Sequence, residues 1–165
     1  MPARLAWLAR ARIGEPMAPP RYLKPTAIDR AFNGLIQWLT RLGVSVYGSR
    51  VLAVRGRKSG EWRTVPVNLL VHEGTQYLVA PRGETEWVRN IRAAGGGELR
   101  LGRTRERIRA VELSDPEKPP ILRLYIDRWW FEVGRFFEGI TKDATLDDLR
   151  RIGPGFPVFR VTPGG

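Results

Sequence analysis

Residues 50–80 read RVLAVRGRKSGEWRTVPVNLLVHEGTQYLVA. Three runs rich in β-branched and aromatic residues, Arg50–Arg55, Thr64–His72 and Gln76–Ala80, are separated by a glycine-flanked cationic stretch and by Glu73-Gly74-Thr75. Runs of that length and composition read as strands, and a short polar break with glycine reads as a hairpin. Connections this short join antiparallel neighbours, because a parallel pair needs a crossover of a dozen residues or more.

Working outward from this stretch, the period changes on both sides. Upstream, Thr26 with Asp29 three residues on has the form of a capping box. After it Ile28, Phe32, Leu35, Ile36, Leu39 and Leu42 recur at helical spacing, with Arg30, Asn33, Gln37 and Arg41 opposite and Gly43 as the stop. Downstream, Thr85–Ala94 is helical, with Trp87, Val88 and Ile91 on one side and Gly95-Gly96-Gly97 at its end. Two further strands follow at Glu98–Leu101 and Glu106–Leu113. A helical region then begins after Asp115-Pro116, and a last strand, Val158–Val161, sits behind Gly153, Pro154, Gly155 and Pro157. The order contains no repeating βαβ unit, so a parallel nucleotide-binding sheet is disfavoured. The expected class is α+β, mainly β: a small antiparallel barrel of about six strands with helices packed outside, closure removing the edges of many short strands.

Length and composition agree with one domain. A chain of 165 residues and 18.7 kDa with 42% hydrophobic content has enough apolar material for a core. Residues 1–25, rich in Pro and Arg, read as an extended leader, leaving 26–165 as the folded unit. Leu5, Trp7 and Leu8 among arginines give the leader the chemistry for peripheral contact with an anionic membrane surface. No apolar run reaches the ~18–20 residues that span a bilayer, and the first residues do not read as a secretory signal; a cytoplasmic location is expected.

The formal charge of +11 invites a nucleic-acid reading, since clustered cations release counterions on meeting phosphates. Yet Lys24, Lys58, Lys118 and Lys142 are the only lysines among 28 cations, a lean toward arginine that GC-rich coding also produces. Arg103, Arg105, Arg107 and Arg109 alternate like one solvated strand face. A basic nucleic-acid-binding barrel therefore stands as an alternative, with no nucleic acid expected as the main partner.

Several chemistries are excluded outright. Without cysteine there are no disulfides, thiolate zinc sites or thiol nucleophiles. With His72 as the only histidine a histidine-rich metal site is impossible, and no metal is expected. Ser45, Ser49, Ser59 and Ser114 lack a nucleophile-elbow context. His72 itself, beside a hairpin turn, reads as a surface residue.

What remains is Arg55–Arg63, RGRKSGEWR. It is not a P-loop, because Arg-Lys-Ser-Gly here lies between strands rather than ahead of a helix. Glycines flanking a turn let backbone N–H groups point at an anion, and Lys58 and Arg63 would add charge-assisted hydrogen bonds. A solvated hairpin tip explains Gly56 and Gly60 equally well. Pro66 favours the ligand reading, since it removes a donor from the strand that follows, as happens at an edge or where a ligand meets backbone.

The segment Gly56-Arg57-Lys58-Ser59-Gly60-Glu61-Trp62-Arg63-Thr64-Val65-Pro66 resembles the signature of the deazaflavin-dependent nitroreductase family, Gly-Arg-Lys-(Ser/Thr)-Gly-x-x-Arg-x-x-Pro. Trp87-Val88-Arg89-Asn90-Ile91 resembles the family's Trp-x-x-Asn-Leu helix, and the likeness runs from about Phe32 through Leu113. The resemblance implies a split β-barrel of the kind found in actinobacteria, binding coenzyme F420, an 8-hydroxy-5-deazaflavin with a phospholactyl-oligoglutamate tail. It implies that Lys58, Ser59 and Arg63, with Arg57 and Gly60, hold the tail phosphate. Pro66 and Val67 would line the ring, Ala80, Pro81, Arg82 and Gly83 would approach ring or tail, and Trp87 and Asn90 would wall the pocket. The chain departs from the pattern at Pro81–Glu86, which replaces a longer Lys-Gly-Gly loop, with Arg82 in place of the lysine.

The activity implied is hydride transfer from reduced F420 to a small electron-poor acceptor: a quinone, an enone or a nitroaromatic compound. Tyr125 is the candidate to protonate or hydrogen-bond the product. Trp129 and Trp130, with Phe131, Phe136 and Phe137, are the candidate acceptor pocket, against which ordinary core packing stands as the plain reading. An FMN-binding split-barrel oxidoreductase is the alternative within the fold, FMN then replacing F420. Monomer and homodimer are both compatible with the sequence.

Overall fold

The structure, a computed structural model, describes residues 21–27, 29–31, 33–35 and 48–165. Strands β1 (Ser49–Arg55), β2 (Trp62–His72) and β3 (Thr75–Val79) lead to helix α1 (Glu86–Ala94). Then come β4 (Gly96–Leu101), β5 (Thr104–Glu112), helix α2 (Lys118–Val133), a short helix α3 (Leu146–Ile152) and β6 (Val158–Pro163). The strands close into an antiparallel barrel in the order β1-β2-β3-β6-β5-β4. The β2–β3 turn has two residues, Glu73 at φ 49 and Gly74 at φ 75, between the paired His72 and Thr75. Both lie in the left-handed region, the two-residue geometry whose twist matches a hairpin. α3 is capped by Thr145, whose hydroxyl accepts from the Asp148 N–H.

Alternation along each strand divides the core in two. Leu52, Val54, Val67, Leu69, Leu78, Phe159 and Val161 fill the barrel interior, joined by Val88 and Ile91 from α1. On the other face of the sheet, Leu70, Val79 and Val158 meet Leu122, Tyr125, Ile126 and Trp129 of α2. Gly96 and Gly97 let β4 approach its neighbours: a Cβ on Gly96 would collide with the Ile108 carbonyl oxygen, and one on Gly97 with that of Ala53.

Closure is uneven, and the unevenness makes the site. β2 pairs with β1 over Trp62–Asn68, while β3 joins only at Leu69. The first half of β2 therefore has a strand on one side alone, and Pro66 lies in that half. The sequence reading of Pro66 as a residue on an open ladder position agrees with this placement.

Before the barrel, Tyr22 forms an isolated bridge with Gly83, the Leu23 N–H donates to the Arg82 carbonyl and the Glu84 N–H to that of Arg21. The capping box is present: the Thr26 N–H and hydroxyl donate to Asp29 Oδ2 at 2.9 and 2.7 Å, and the Asp29 N–H donates back to the hydroxyl at 3.2 Å. Residues 27, 29–31 and 33–35 are helical, and Leu35 is exposed. The remaining apolar positions assigned to this helix, Ile28, Phe32, Ile36, Leu39 and Leu42, its stop at Gly43, and the leader through residue 20 lie outside the described residues.

Candidate functional site

The β1–β2 connection folds on itself. The Gly56 N–H donates to the Glu61 carbonyl at 2.8 Å, the Gly60 N–H donates to the Gly56 carbonyl at 2.8 Å, and the Glu61 N–H donates to Ser59 Oγ at 3.2 Å. Gly60 takes φ +71, where a side chain would be strained. A Cβ on Gly56 would stand 2.9 Å from Ser59 Oγ. Arg57 is committed: its N–H and its guanidinium donate to Asn90 Oδ1 at 3.2 and 2.9 Å, and the guanidinium reaches Glu86 Oε2 at 2.7 Å. The Arg57 hydrogen bond and charge, opposed by slight burial, hold the Glu86 carboxyl below its ordinary value. Arg57 thus fastens the turn to α1. Lys58, in contrast, has no hydrogen bond or ion pair with the described residues, and Arg63 has only a 3.5 Å contact with Glu61. Among the described residues, Glu61 is the one partner that either cation has.

Both face a cleft of about 620 Å³. Its floor is the open half of β2 from Arg63 to Asn68; α1 supplies Trp87 and Asn90; Val79, Ala80, Pro81 and Arg82 follow along and beyond β3; Tyr22, Pro25 and Asn33 close one side. That size lies within the ~300–1,000 Å³ usual for small-molecule sites. Trp87 also leans on the barrel core through Phe159, ring centroids 5.7 Å apart. Gly60 and Gly83 shape the lining without entering it. Gly83 sits at φ +80, and a Cβ there would collide with the Arg21 carbonyl oxygen.

Arg82 lines the cleft but is engaged elsewhere. It pairs with Asp29 at 3.2 Å and its guanidinium lies 4.4 Å from the Phe136 ring centroid. Arg135 pairs with the other oxygen of Asp29. Asp29 is 3% exposed, and the Thr26 hydrogen bonds first, then Arg82, hold its carboxyl far below the usual aspartate value. This knot ties the start of the N-terminal helix over the cleft. Arg82 is therefore an anchor of that helix rather than an open cation.

The far end of the floor has different chemistry. Five residues along β2 from Arg63, roughly 17 Å of strand, Asn68 Nδ2 donates to Glu132 Oε2 at 3.3 Å. Tyr125, 2% exposed and two helical turns before Glu132 on α2, also lines the cleft. Burial pushes the Tyr125 phenol well above its ordinary value, the Glu132 charge adds to this, and a hydrogen bond from Asn68 eases it back. Burial likewise raises Glu132, against the hydrogen bond from Asn68 and the charge of Arg135. Sequence spacing singles out neither Asn68 nor Glu132; the lone carboxylate inside the aromatic run Trp129–Phe137 is the one available signal.

The aromatic pocket is placed differently from the expectation. Trp129 is fully buried among the α2 core residues, its ring 5.0 Å from that of Tyr125, and Trp130 packs against the same cluster; neither lines the cleft. The reason is helical spacing: with Leu122 and Tyr125 turned to the sheet, Trp129 follows four residues on along the same face. Phe136 does line the cleft, while Phe137 stacks on Phe156 at 4.4 Å in the core. His72 stands on the hairpin, its side chain 44% exposed and outside the cleft lining. No group of His, Asp or Glu able to hold a metal occurs among the described residues, and no described helix is long and apolar enough to cross a membrane.

The donor set suits a phosphate-bearing heterocycle: an ammonium with no partner among the described residues and a guanidinium 3.5 Å from Glu61 at one end, a strand edge with Pro66 and Val67 beyond them. Known proteins bear on this. A solved structure described as a domain-swapped dimer is 19% identical at TM-score 0.51, covering 83% of this chain and all of that one. A protein of unknown function from Agrobacterium tumefaciens is 19% identical at TM-score 0.50, over 90% of this chain and 62% of its own. An F420-H2 dependent reductase is 20% identical at TM-score 0.48, over 70% of this chain and 94% of its own. At these identities the first two support the fold alone. No curated protein matches the sequence. The model of one family, described as F420H(2)-dependent quinone reductase, matches residues 26–132, a span that begins at the Thr26 cap and ends at Glu132. The chain therefore belongs to the F420H(2)-dependent quinone reductase family.

Proposed function

We propose that this protein binds coenzyme F420 in the cleft and catalyses two-electron reduction of an electron-poor acceptor, a quinone before an enone or a nitroaromatic compound. The single observation that carries the reading is the placement of Lys58, a cation with no partner among the described residues, at the head of a cleft floored by a strand edge. Lys58, Ser59 and Arg63 hold the phosphate, Gly60 gives the turn its shape, and Arg57 keeps that turn against Asn90 and Glu86. Pro66 and Val67, Ala80 and Pro81, and Trp87 border the ring. When bound, the reduced deazaflavin supplies a hydride, and the protein has only to orient it against the acceptor and exclude water. That chemistry asks for no cysteine and no metal ligands.

Tyr125 stays a neutral phenol across the physiological range because burial disfavours its anion. Its role is to hydrogen-bond the acceptor oxygen. Trp129 acts beneath it, holding the ring from the core. FMN would use the same basic turn and is the competing coenzyme. A cytoplasmic setting suits a chain without cysteine, and either a monomer or a homodimer accommodates a site built from one chain.

The test is titration of the purified protein with F420 and with FMN, followed by turnover of chemically reduced coenzyme against menadione. Saturable F420 binding with coenzyme oxidation that depends on the quinone is expected. Tight FMN binding with no F420 binding overturns the choice of coenzyme, and F420 binding without oxidation of quinone, enone or nitroaromatic makes the protein a coenzyme carrier.

A further inference from the structure

Reducing a quinone to a hydroquinone needs a proton as well as a hydride, and the cleft holds a group suited to give it. Glu132 is the last-turn carboxylate of α2, set after the residue at which the helix geometry breaks, Trp129 with φ −124 and ψ 19. It lines the cleft at the end opposite Lys58. Asn68 reaches it from β2 at 3.3 Å, and Tyr125, from the same helix, lines the same cleft.

We propose that Glu132, positioned by Asn68 beside Tyr125, is the proton donor to the acceptor oxygen. The inference rests on the coenzyme reading above. In the step, a hydride supplied by the bound coenzyme would end as an O–H at one quinone oxygen, and its electron pair would leave negative charge on the opposite oxygen. The Glu132 O–H bond breaks as the hydroquinone O–H forms, and the carboxylate left behind takes a proton from water.

The surroundings of Glu132 support this assignment. From its own helix it faces Tyr125, which is neutral; from β2 it faces Asn68, also neutral; after the helix comes Arg135. Arg135 is the one cation acting on it among the described residues, and its guanidinium is already paired with Asp29, which Arg82 also pairs. With so little net positive field, burial keeps the proton on Glu132 to higher pH than on an exposed glutamate. Tyr125 is less suited to give its proton up, because burial and the neighbouring carboxylate both oppose the phenolate.

A raised carboxyl is protonated at low pH and ionises as pH rises through its folded value, so turnover should hold in acid and fall along that limb. The experiment compares wild type with Glu132→Gln and Glu132→Asp, using F420 affinity, menadione turnover against pH, the solvent deuterium isotope effect, and the infrared carbonyl band of the coenzyme-free protein. Expected for Glu132→Gln are an F420 Kd within twofold of wild type, kcat lower by about 100-fold, and loss of the pH limb and isotope effect. The protonated-carboxyl band that persists above the ionisation range of exposed glutamates should vanish in the same variant. Glu132→Asp should keep the limb at a shifted position, which also serves if Glu132→Gln does not fold. Unchanged kcat and limb in either variant, with F420 bound normally, overturns the proton donor and leaves the coenzyme reading standing. Failure of wild type to bind F420 removes both.

Discussion

Replacing Lys58 by alanine probes the cleft most directly. Its ammonium makes no bond to the described residues, so the substitution removes no contact among them and its effect should appear mainly in the complex. A charge-assisted hydrogen bond contributes about 1.5–3 kcal/mol, and an exposed lysine keeps entropy that binding must remove. About 2 kcal/mol, or roughly 30-fold in Kd, is therefore expected. Arg63→Ala should cost a similar amount, because among the described residues its guanidinium pairs with Glu61 alone, at 3.5 Å. Arg57→Ala should behave differently, lowering thermal stability as well as affinity, since it cuts the turn from Asn90 and Glu86. The assay is fluorescence titration of F420 at two salt concentrations, with melting curves for each variant. A single phosphate should give shallow salt dependence, whereas a polyanion held by many cations gives a steep one. If Lys58→Ala and Arg63→Ala both leave the Kd within twofold, the phosphate seat is wrong. Steep salt dependence of RNA binding that survives Lys58→Ala would support the nucleic-acid alternative.

Other expectations are independent of the coenzyme. Asp29→Asn should destabilise the protein by about 2 kcal/mol near neutrality, through the lost cap and the unpaired Arg82. Because the Asp29 carboxyl is depressed, its contribution is complete above the ordinary value of 3.8 and fades as pH falls below it, so the melting-temperature gap should narrow in acid; a gap that stays constant on acidification from neutrality through that value refutes this. Trp129→Ala should cost about 3–5 kcal/mol in denaturant unfolding, the mark of a core residue; a normal midpoint with altered acceptor KM would instead return it to the acceptor pocket. Gly83→Ala should strain a left-handed position and push on the Arg21 carbonyl. It should free residues 21–25 for proteolysis, and unchanged cleavage counts against the clamp.

Much of this molecule is legible from local pattern. The strands over 50–80, the helix ending at Gly95 and the basic turn are written in spacing and in glycine placement, which depend on backbone conformation and the nearest few residues. Closure of the barrel follows from the number of short strands needing partners. The stretch from Gly56 to Pro66 likewise reads as a glycine-flanked cationic turn from its residues alone. Which cations are open is not legible: Arg57, Lys58, Arg63 and Arg82 look alike in sequence, and only folding brings Glu86 and Asn90 to Arg57 and Asp29 to Arg82. The same holds for Trp129, apolar enough for a pocket or a core, until α2 turns its face to the sheet. Asn68 and Glu132, far apart in the chain, meet because β2 opens where α2 ends. Local sequence determines which backbone forms, since that choice is short-ranged; which charge is satisfied and which is left for a ligand depends on groups distant in the chain, and only the tertiary fold decides it.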